Sequence, residues 1–552
     1  MEEKVLKEKK GFKVEIRNVF REPALLITLI ILALLFAVFI IYPFIKILLI
    51  PKGSDWLRFF REKQFTQAFK NTIFSSILST SSAIVLGFVY AYTLNYTDIP
   101  GKKFFRVVGL LPIMAPSVVT GLAFIMLFGR RGIITYQLLG LTTDLYGWVG
   151  LWIVQTIAFF PLAYMTISGV LKSISPNLEL AAQNMGARGF TLFRTVTVKL
   201  ATPGILSAFL LVAINSFADF GNPMLVGGNY RVLATEAYAQ VTGTFDMGIA
   251  AVLSAMLVIP TLLVFLLQKY YIDKKSYVTV TGKPTSGLNR DAVSKSVKVI
   301  LFSICSFIAL IIVLIFGIII CFAFTKVFGI NNQITFNNFV EGVIKSNVIK
   351  NSWLIAMATA VITTMLGLVL AFVVSRKSFP GKNILDFLAL LPISMPGTFI
   401  GLALIMTFNK GLLPLTGTVS IIIIGMCLRQ MPVGYRNAMA GFKQVDKSIE
   451  DASTNLGANS VITFRKIVLP MLKSAFSTSL VYSFMKSMNT LSTVIFLVSP
   501  QWMLASVAIM NNANRGFYGL ASAMAIGMMA VIMLTFGIVK LIFGNKINVF
   551  DL

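Results

Sequence analysis

Runs of about 20 apolar residues recur along the whole chain, from Ala24–Ile50 to 517–543, and about 20 such residues let a helix cross the hydrocarbon core. No water satisfies peptide groups at that depth, so each run is confined to a helix that closes its own hydrogen bonds. The expected fold class is an all-α polytopic membrane protein. Composition agrees: 57% of residues are hydrophobic and only 12% charged, against about 25% charged in soluble domains. The first run is too long for a signal-peptide core and lacks an A-x-A-like cleavage site, so it reads as a retained helix.

The runs number about twelve. Six lie near 24–50, 71–95, 105–128, 147–171, 201–220 and 247–270, and six near 298–324, 351–375, 385–408, 419–442, 471–497 and 517–543. The net charge of +27 is read as positive-inside topology, not as affinity for nucleic acid. Lys4, Lys7, Lys9, Lys10, Lys13, Arg17 and Arg21 place the N-terminus in the cytoplasm, and an even number of spans returns the C-terminus there. The first outer loop, with Lys52, Arg58, Arg61, Lys63 and Lys70, runs against this bias. The resulting domains are a basic cytoplasmic tail (1–23), a first six-helix repeat (24–272), a cytoplasmic linker (273–297), a second six-helix repeat (298–543) and a cytoplasmic tail (544–552). The localisation that follows is the inner or plasma membrane, among lipid.

The chain contains no His, which removes His-ligated metals, His general bases and Ser-His-Asp triads. Cys305, Cys321 and Cys427 lie in apolar runs without pairing or metal spacing and read as inert core residues. No catalytic, metal or cofactor site is expected on this chain.

The two halves repeat each other. Pro100–Phe128 aligns without gaps on Pro380–Phe408, matching Pro100, Gly101, Lys102, Leu111, Pro112, Pro116, Gly121 and Met126 to Pro380, Gly381, Lys382, Leu391, Pro392, Pro396, Gly401 and Met406. Further on, Pro161, Tyr164 and Lys172 meet Pro432, Tyr435 and Lys443, and Phe217 and Asn222 meet Phe484 and Asn489. Hydrophobic composition does not predict Pro, Gly, Lys and Asn in register. A parallel repeat implies a pseudo-two-fold axis along the membrane normal with a pathway between the halves.

Two related polar patches fall in the loops 172–199 and 443–470: "LELAAQNMGA" (Leu178–Ala187) and "EDASTNLGA" (Glu450–Ala458). Helix-starting residues precede them, Ser175, Pro176 and Asn177 in one and Asp446 and Ser448 in the other. Phe193 and Phe464 follow at matching distances. Small residues on such a helix allow another surface to approach closely. The layout resembles the EAA loop of binding-protein-dependent ABC importer permeases, and the LP-x-x-x-P and F-x-x-x-x-N segments fit the same family. The resemblance implies a type I importer fold, a fused pair of permease domains, two copies of a cytoplasmic ABC ATPase that hold ATP and Mg, and an extracytoplasmic substrate-binding protein. It also implies coupling helices at Glu179, Leu180, Ala181, Ala182, Gly186 and Ala187, and at Glu450, Asp451, Ala452, Ser453, Gly457 and Ala458. Counting back from the glycine, the family acid falls on Leu180 and Asp451, while Glu179 and Glu450 stand one residue earlier, about 100° round a helix. The two loops are therefore expected to dock unequally, the second making the charged contact. The alternative is that these acids cap helix N-termini.

Ionisable residues within spans are candidates for the translocation path: Asp219 and Lys486 at matching positions, Asn222 and Asn489 beside them, and Arg429 with Gln430 in the tenth span. Lys46 reads as a snorkelling lysine. No Walker A spacing is present, so ATP hydrolysis is assigned to a partner. The linker Lys274–Thr285, "KKSYVTVTGKPT", resembles that of the ferric iron and aminoethylphosphonate branches, which favours iron; 2-aminoethylphosphonate, thiamine or another small solute is the alternative. An ion-gradient-driven transporter would show acidic relays inside its helices, and membrane carboxylates are scarce here.

Overall fold

The computed structural model describes residues 19–20, 22–142, 145–272, 293–411 and 413–543. The basic tail from Lys4 to Arg17 with Arg21, the linker motif Lys274–Thr285 and the C-terminal tail 544–552 lie outside the described residues.

Among the described residues, 9 helices are long and apolar enough to cross a membrane, or 11 when two bent pairs are each counted as one span. The remaining expected span is the 26-residue helix Val419–Gln444, which carries Arg429, Gln430 and Arg436 and so falls short in hydropathy. The expected spans 105–128 and 385–408 each contain a break. Lys102–Met114 ends at Ala115 in extended backbone, and Pro116 starts Ser117–Phe128; the second repeat breaks between Ser394 and Gly397 with a bend of 107°. Proline has no N–H and drives its predecessor out of the helical region, so Pro116 and Pro396 each force a restart. Both segments begin on a left-handed glycine, Gly101 at φ +73° and Gly381 at φ +86°.

The described residues form two compact units that do not follow the repeats: one holds those within Met1–Lys52, Val348–Leu504 and Ala530–Leu552, the other those within Gly53–Asn347 and Ala505–Met529. In the former, Pro23–Leu49 packs on Gly397–Phe408 of the second repeat through Phe39–Phe408 (5.7 Å) and Phe44–Phe399 (5.6 Å). Lys46 does not merely snorkel there: its Nζ donates to the Thr407 carbonyl at 3.1 Å, at the C-terminal end of that helix. In the latter unit, Lys295–Ala323 packs on Lys63–Tyr96, Lys102–Met114 and Ser117–Phe128 of the first repeat, with Phe302 against Phe105 at 5.8 Å. The leading helix of each repeat thus belongs to the compact unit of the other. Cys305 and Cys427 are buried as expected, whereas Cys321 is exposed on the flank of Lys295–Ala323, a face the apolar run could not distinguish.

Within each unit the tightest pair is the second helix of the repeat against the fourth: Lys63–Tyr96 with Trp148–Ser173, and Val348–Arg376 with Val419–Gln444. Small buried residues recur every four positions along the second helix, Ser75, Ser79, Ala83, Gly87 and Ala91 in one repeat and Thr359, Thr363, Gly367 and Ala371 in the other. Between membrane helices such a stripe replaces the hydrophobic effect with close backbone contact. In the first repeat the hydroxyls are absorbed by carbonyls one turn back, Ser75 Oγ to Asn71 O at 2.8 Å and Ser79 Oγ to Ser75 O at 2.6 Å, whereas in the second Thr359 Oγ1 reaches Met426 Sδ at 3.7 Å.

One charge of the first outer loop, that of Arg58, also finds a local explanation. Gly53–Arg61 is a helix that buries Phe59, and Arg58 bonds both Glu62 (2.9 Å) and Asp246 (2.8 Å). Asp246 in turn accepts from the Ile249 N–H at the start of Met247–Leu267.

Candidate functional site

Each polar patch forms a short surface helix, Pro176–Asn184 and Lys447–Asn455. Asp446 starts the second: its Oδ1 accepts from the Ser448 N–H at 2.9 Å, a bond that holds its carboxyl below the usual carboxylate range. Ser175, expected to do the same, occupies the N-cap without a side-chain bond.

The glycines close the helices. Gly186 and Gly457 take φ +91° and +85°, Ala187 N–H reaches Ala182 O at 2.9 Å and Ala458 N–H reaches Ser453 O at 3.1 Å. This is the Schellman cap, in which a left-handed residue lets the chain turn back on the last carbonyls. The backbone geometry thus gives both glycines a role of their own as caps. Ala181 and Ala452 face outward, whereas Ala182 and Ser453 are buried, Ser453 Oγ lying 3.0 Å from Thr463 Oγ1.

The acids divide the same way. Glu179 is buried and accepts from Tyr96 Oη at 2.8 Å and Thr197 Oγ1 at 3.1 Å. Glu450 is buried and pairs with Arg376 Nε at 2.6 Å. Asp451 is exposed and Leu180 half-buried. Tyr96 and Arg376 are the last residues of the equivalent helices Lys63–Tyr96 and Val348–Arg376, so Glu179 and Glu450 are counterparts with counterpart partners. Both also stand in the first turn of their helices, where a carboxylate is favoured by the helix dipole. Beside each pair an aromatic contact recurs, Tyr92–Phe193 at 5.1 Å and Phe372–Phe464 at 4.9 Å.

What each helix presents outward is apolar at its tip. Met185 is 82% exposed and Leu456 89% exposed, each immediately before the capping glycine. Sequence reasoning missed both. The signal available was an aliphatic residue before Gly at the same place in both copies of an otherwise polar patch.

The intramembrane candidates are distributed unevenly. Asp219 lies in the break between Val198–Phe217 and Gly221–Val226, and its Oδ2 accepts from Gln155 Nε2 and Asn222 Nδ2, both at 3.0 Å. Gln155 Oε1 accepts from Ser79 Oγ at 2.9 Å, so one buried chain of polar groups links the second, fourth and fifth spans. In the second repeat Lys486 and Asn489 lie within the continuous helix Lys473–Asn489, and Lys486 Nζ sits 5.8 Å from the centre of the Tyr482 ring. Gln430 Nε2 donates to Thr490 Oγ1 at 3.3 Å. Arg429 Nη1 donates to Met395 O at 3.1 Å, satisfying a carbonyl freed by the break at Pro396. Aligned residues therefore occupy different backbone settings. Among the described residues no group of three or more Cys, Asp or Glu could hold a metal ion.

Two related sets of membrane-spanning helices, each carrying a capped surface helix on a buried base, define the class as a two-repeat membrane permease. The family profile described as binding-protein-dependent transport system inner membrane component matches residues 83–277 and again 363–547, and the chain belongs to that family. It is the fused two-domain permease of an ABC importer, a multi-pass inner-membrane transport protein that works with a binding protein and is not itself an enzyme. The ferric transport system permease protein FbpB of Actinobacillus pleuropneumoniae is 34% identical over 532 residues, 92% of this chain and 77% of that protein. The putative ferric transport system permease protein FbpB 1 of Haemophilus influenzae is 34% identical over 495 residues, 86% of this chain and 78% of that protein. A crystal structure of a bacterial alginate ABC transporter, in complex with an alginate pentasaccharide-bound periplasmic protein, is 19% identical with a TM-score of 0.39, covering 46% of this chain and 96% of that one.

Proposed function

We propose that this permease imports ferric iron, received from an extracytoplasmic binding protein and released into the cytoplasm by alternating access. The observation that carries the substrate is the identity of 34% to two ferric transport permeases over 92% and 86% of this chain. The linker residues Lys274–Thr285 agree with it. Both termini and both surface helices lie on the cytoplasmic side, where two copies of a separate ATPase bind one surface helix each. ATP and Mg belong to those subunits, and this chain carries no cofactor. Closure of the ATPase pair moves the two helices, and the repeats rock about a central path. The polar groups of Asp219, Asn222, Arg429, Gln430, Lys486 and Asn489 are the residues proposed near that path.

Reconstitution of the permease with its ATPase and binding protein in liposomes tests the substrate. ATP-dependent uptake is expected with ferric ion and not with aminoethylphosphonate, thiamine or molybdate; uptake of one of the latter alone would reassign it. Uptake driven by an ion gradient without the ATPase would overturn the mechanism.

The exposed Asp451 is proposed to make the charged contact to the second ATPase copy. Asp451→Lys is expected to lower ATP-driven uptake about tenfold, the equivalent of about 1.4 kcal/mol, while Leu180→Lys has a smaller effect. Uptake by the Asp451→Lys permease equal to that of the wild type would remove this role.

A further inference from the structure

We infer that the break in the second repeat holds a binding site for a small oxyanion, formed by Arg429, Lys486 and the N-terminus of Gly397–Phe408. The inference deepens the proposed import of ferric iron. It rests on that reading only for the form in which iron crosses, ligated by an oxyanion and not bare.

Both cations stand deep in their helices. Counted from the ends that flank the surface helix Lys447–Asn455, Arg429 in Val419–Gln444 and Lys486 in Lys473–Asn489 each lie about 20 Å along, at about 1.5 Å per residue. The hydrocarbon core is about 30 Å thick, so both lie inside it. A hydrogen-bonded link keeps them at one level: Gln430 Nε2, beside Arg429, donates to Thr490 Oγ1 at 3.3 Å, and Thr490 Oγ1 donates to Lys486 O at 2.6 Å. Among the described residues neither cation forms an ion pair. Arg429 spends one N–H on Met395 O, and Lys486 faces the Tyr482 ring at 5.8 Å, which is also within electrostatic reach of Arg429. The aligned Asp219 supplies no counter-charge, because Gln155 and Asn222 occupy its carboxylate. Two half-buried cations at that depth without a carboxylate mark a water-lined passage, and they attract an anion.

The break adds further donors. Met395, whose carbonyl Arg429 holds, comes just before the helix Gly397–Phe408. The N–H groups of Gly397, Thr398 and Phe399 precede its first helical bond, from the Ile400 N–H to Pro396 O at 3.1 Å, and Pro396 gives them no side-chain cap. Such N–H groups favour an anion. Thr398 Oγ1 and Thr493 Oγ1 are wholly buried without a hydrogen-bond partner, and Thr493 Oγ1 stands 2.7 Å from where a Cβ on Gly397 would lie. The first repeat makes the same break at Pro116 without these groups: Ala158, Val118 and Val226 stand in register with Arg429, Thr398 and Thr493. The break itself therefore does not need them. An oxyanion does, because its oxygens accept from cations, hydroxyls and backbone N–H groups together. A bare ferric ion would be repelled by both cations, whereas one carrying an oxyanion presents oxygens to them.

Equilibrium binding of radiolabelled inorganic phosphate to the purified permease in lipid nanodiscs tests the site without iron or the ATPase. Saturable binding of one phosphate per chain is expected. Arg429→Gln and Lys486→Gln should each weaken it about tenfold or more, as for hydrogen bonds to charged groups, and Arg429→Lys, which keeps the charge, should lose less. Thr398→Val combined with Thr493→Val is expected to weaken binding about fivefold with unchanged melting, since the first repeat carries valine at both places. This pair decides the matter if the arginine variant does not fold. No saturable binding to the wild type, or equal binding by the folded variants, would overturn the site. In proteoliposomes with the ATPase and binding protein, labelled phosphate entering together with iron assigns the anion to the cargo. Iron entering without it assigns the anion to the path itself and overturns the ligated form. If another solute is imported instead, the ferric reading fails by itself, and phosphate binding still decides the oxyanion site.

Discussion

Gly367→Leu and Gly87→Leu are each expected to leave little or no folded permease in the membrane, the largest stability losses this structure supports. A Cβ at Gly367 would come within 2.8 Å of the Gly434 carbonyl carbon and the Tyr435 nitrogen, and one at Gly87 within 2.7 Å of Ala163 Cβ and 2.9 Å of the Tyr164 nitrogen. Backbone atoms cannot step aside as a side chain does, so the helix pairs must separate along their length. Overpacking costs about 1–3 kcal/mol where the neighbours can shift, and here the loss is expected above that range because the displaced contacts run along the whole small-residue stripe. Even alanine should be destabilising at either position. Gly317 and Gly537 provide the contrast: both are helical and a Cβ there meets nothing within 4 Å. Gly317→Ala is expected to stabilise by about 0.5–1 kcal/mol through helix propensity alone. Thermal unfolding of detergent-solubilised protein, followed by size-exclusion, reads both signs. Equal melting of Gly367→Ala and Gly317→Ala would show that the close approach carries no weight.

The largest functional loss is expected from Met185→Asp combined with Leu456→Asp. Each side chain stands almost fully exposed at the tip of a surface helix, held in place by the capping glycine behind it. Burial of such a side chain in a partner groove contributes about 1.5–3 kcal/mol, or roughly 10- to 150-fold in affinity for one helix. Replacing it by a carboxylate removes that gain and adds a desolvation cost. With both tips changed, pull-down of the ATPase and ATP-driven uptake should fall by at least a hundredfold on this basis, while melting of the permease stays within about 1 kcal/mol of the wild type, as expected for exposed sites. ATPase binding by the double variant at wild-type affinity would place the contact elsewhere.

Much of the fold was legible because hydrocarbon leaves the chain few choices. Apolar runs had to become helices, and Pro, Gly and Asn matched in register had to mean a repeat. What escaped was directional. Pro112, Pro116, Pro392 and Pro396 are visible as a motif, but hydropathy marks one apolar run through each pair and does not show the break. The small residues at Ser79, Ala83 and Gly87 were also visible, but only the neighbouring helix shows that they form one contact face. In the surface helices, the motif was in the letters while the division of labour was not. Glu179 and Glu450 turn inward, Asp451 turns outward, and the glycines serve the cap.

The sequence alone determined the membrane class, the approximate number of spans, the two-fold repeat and the place of both surface helices, since each follows from local composition or from register between copies. Tertiary structure decided which repeat each leading helix joins, which acid is buried, and which partner it meets. Tyr96 lies 83 residues from Glu179, and Arg376 lies 74 from Glu450. Periodicity and spacing describe what a segment is. Which distant side chain satisfies a buried charge depends on where folding brings the ends of the helices together.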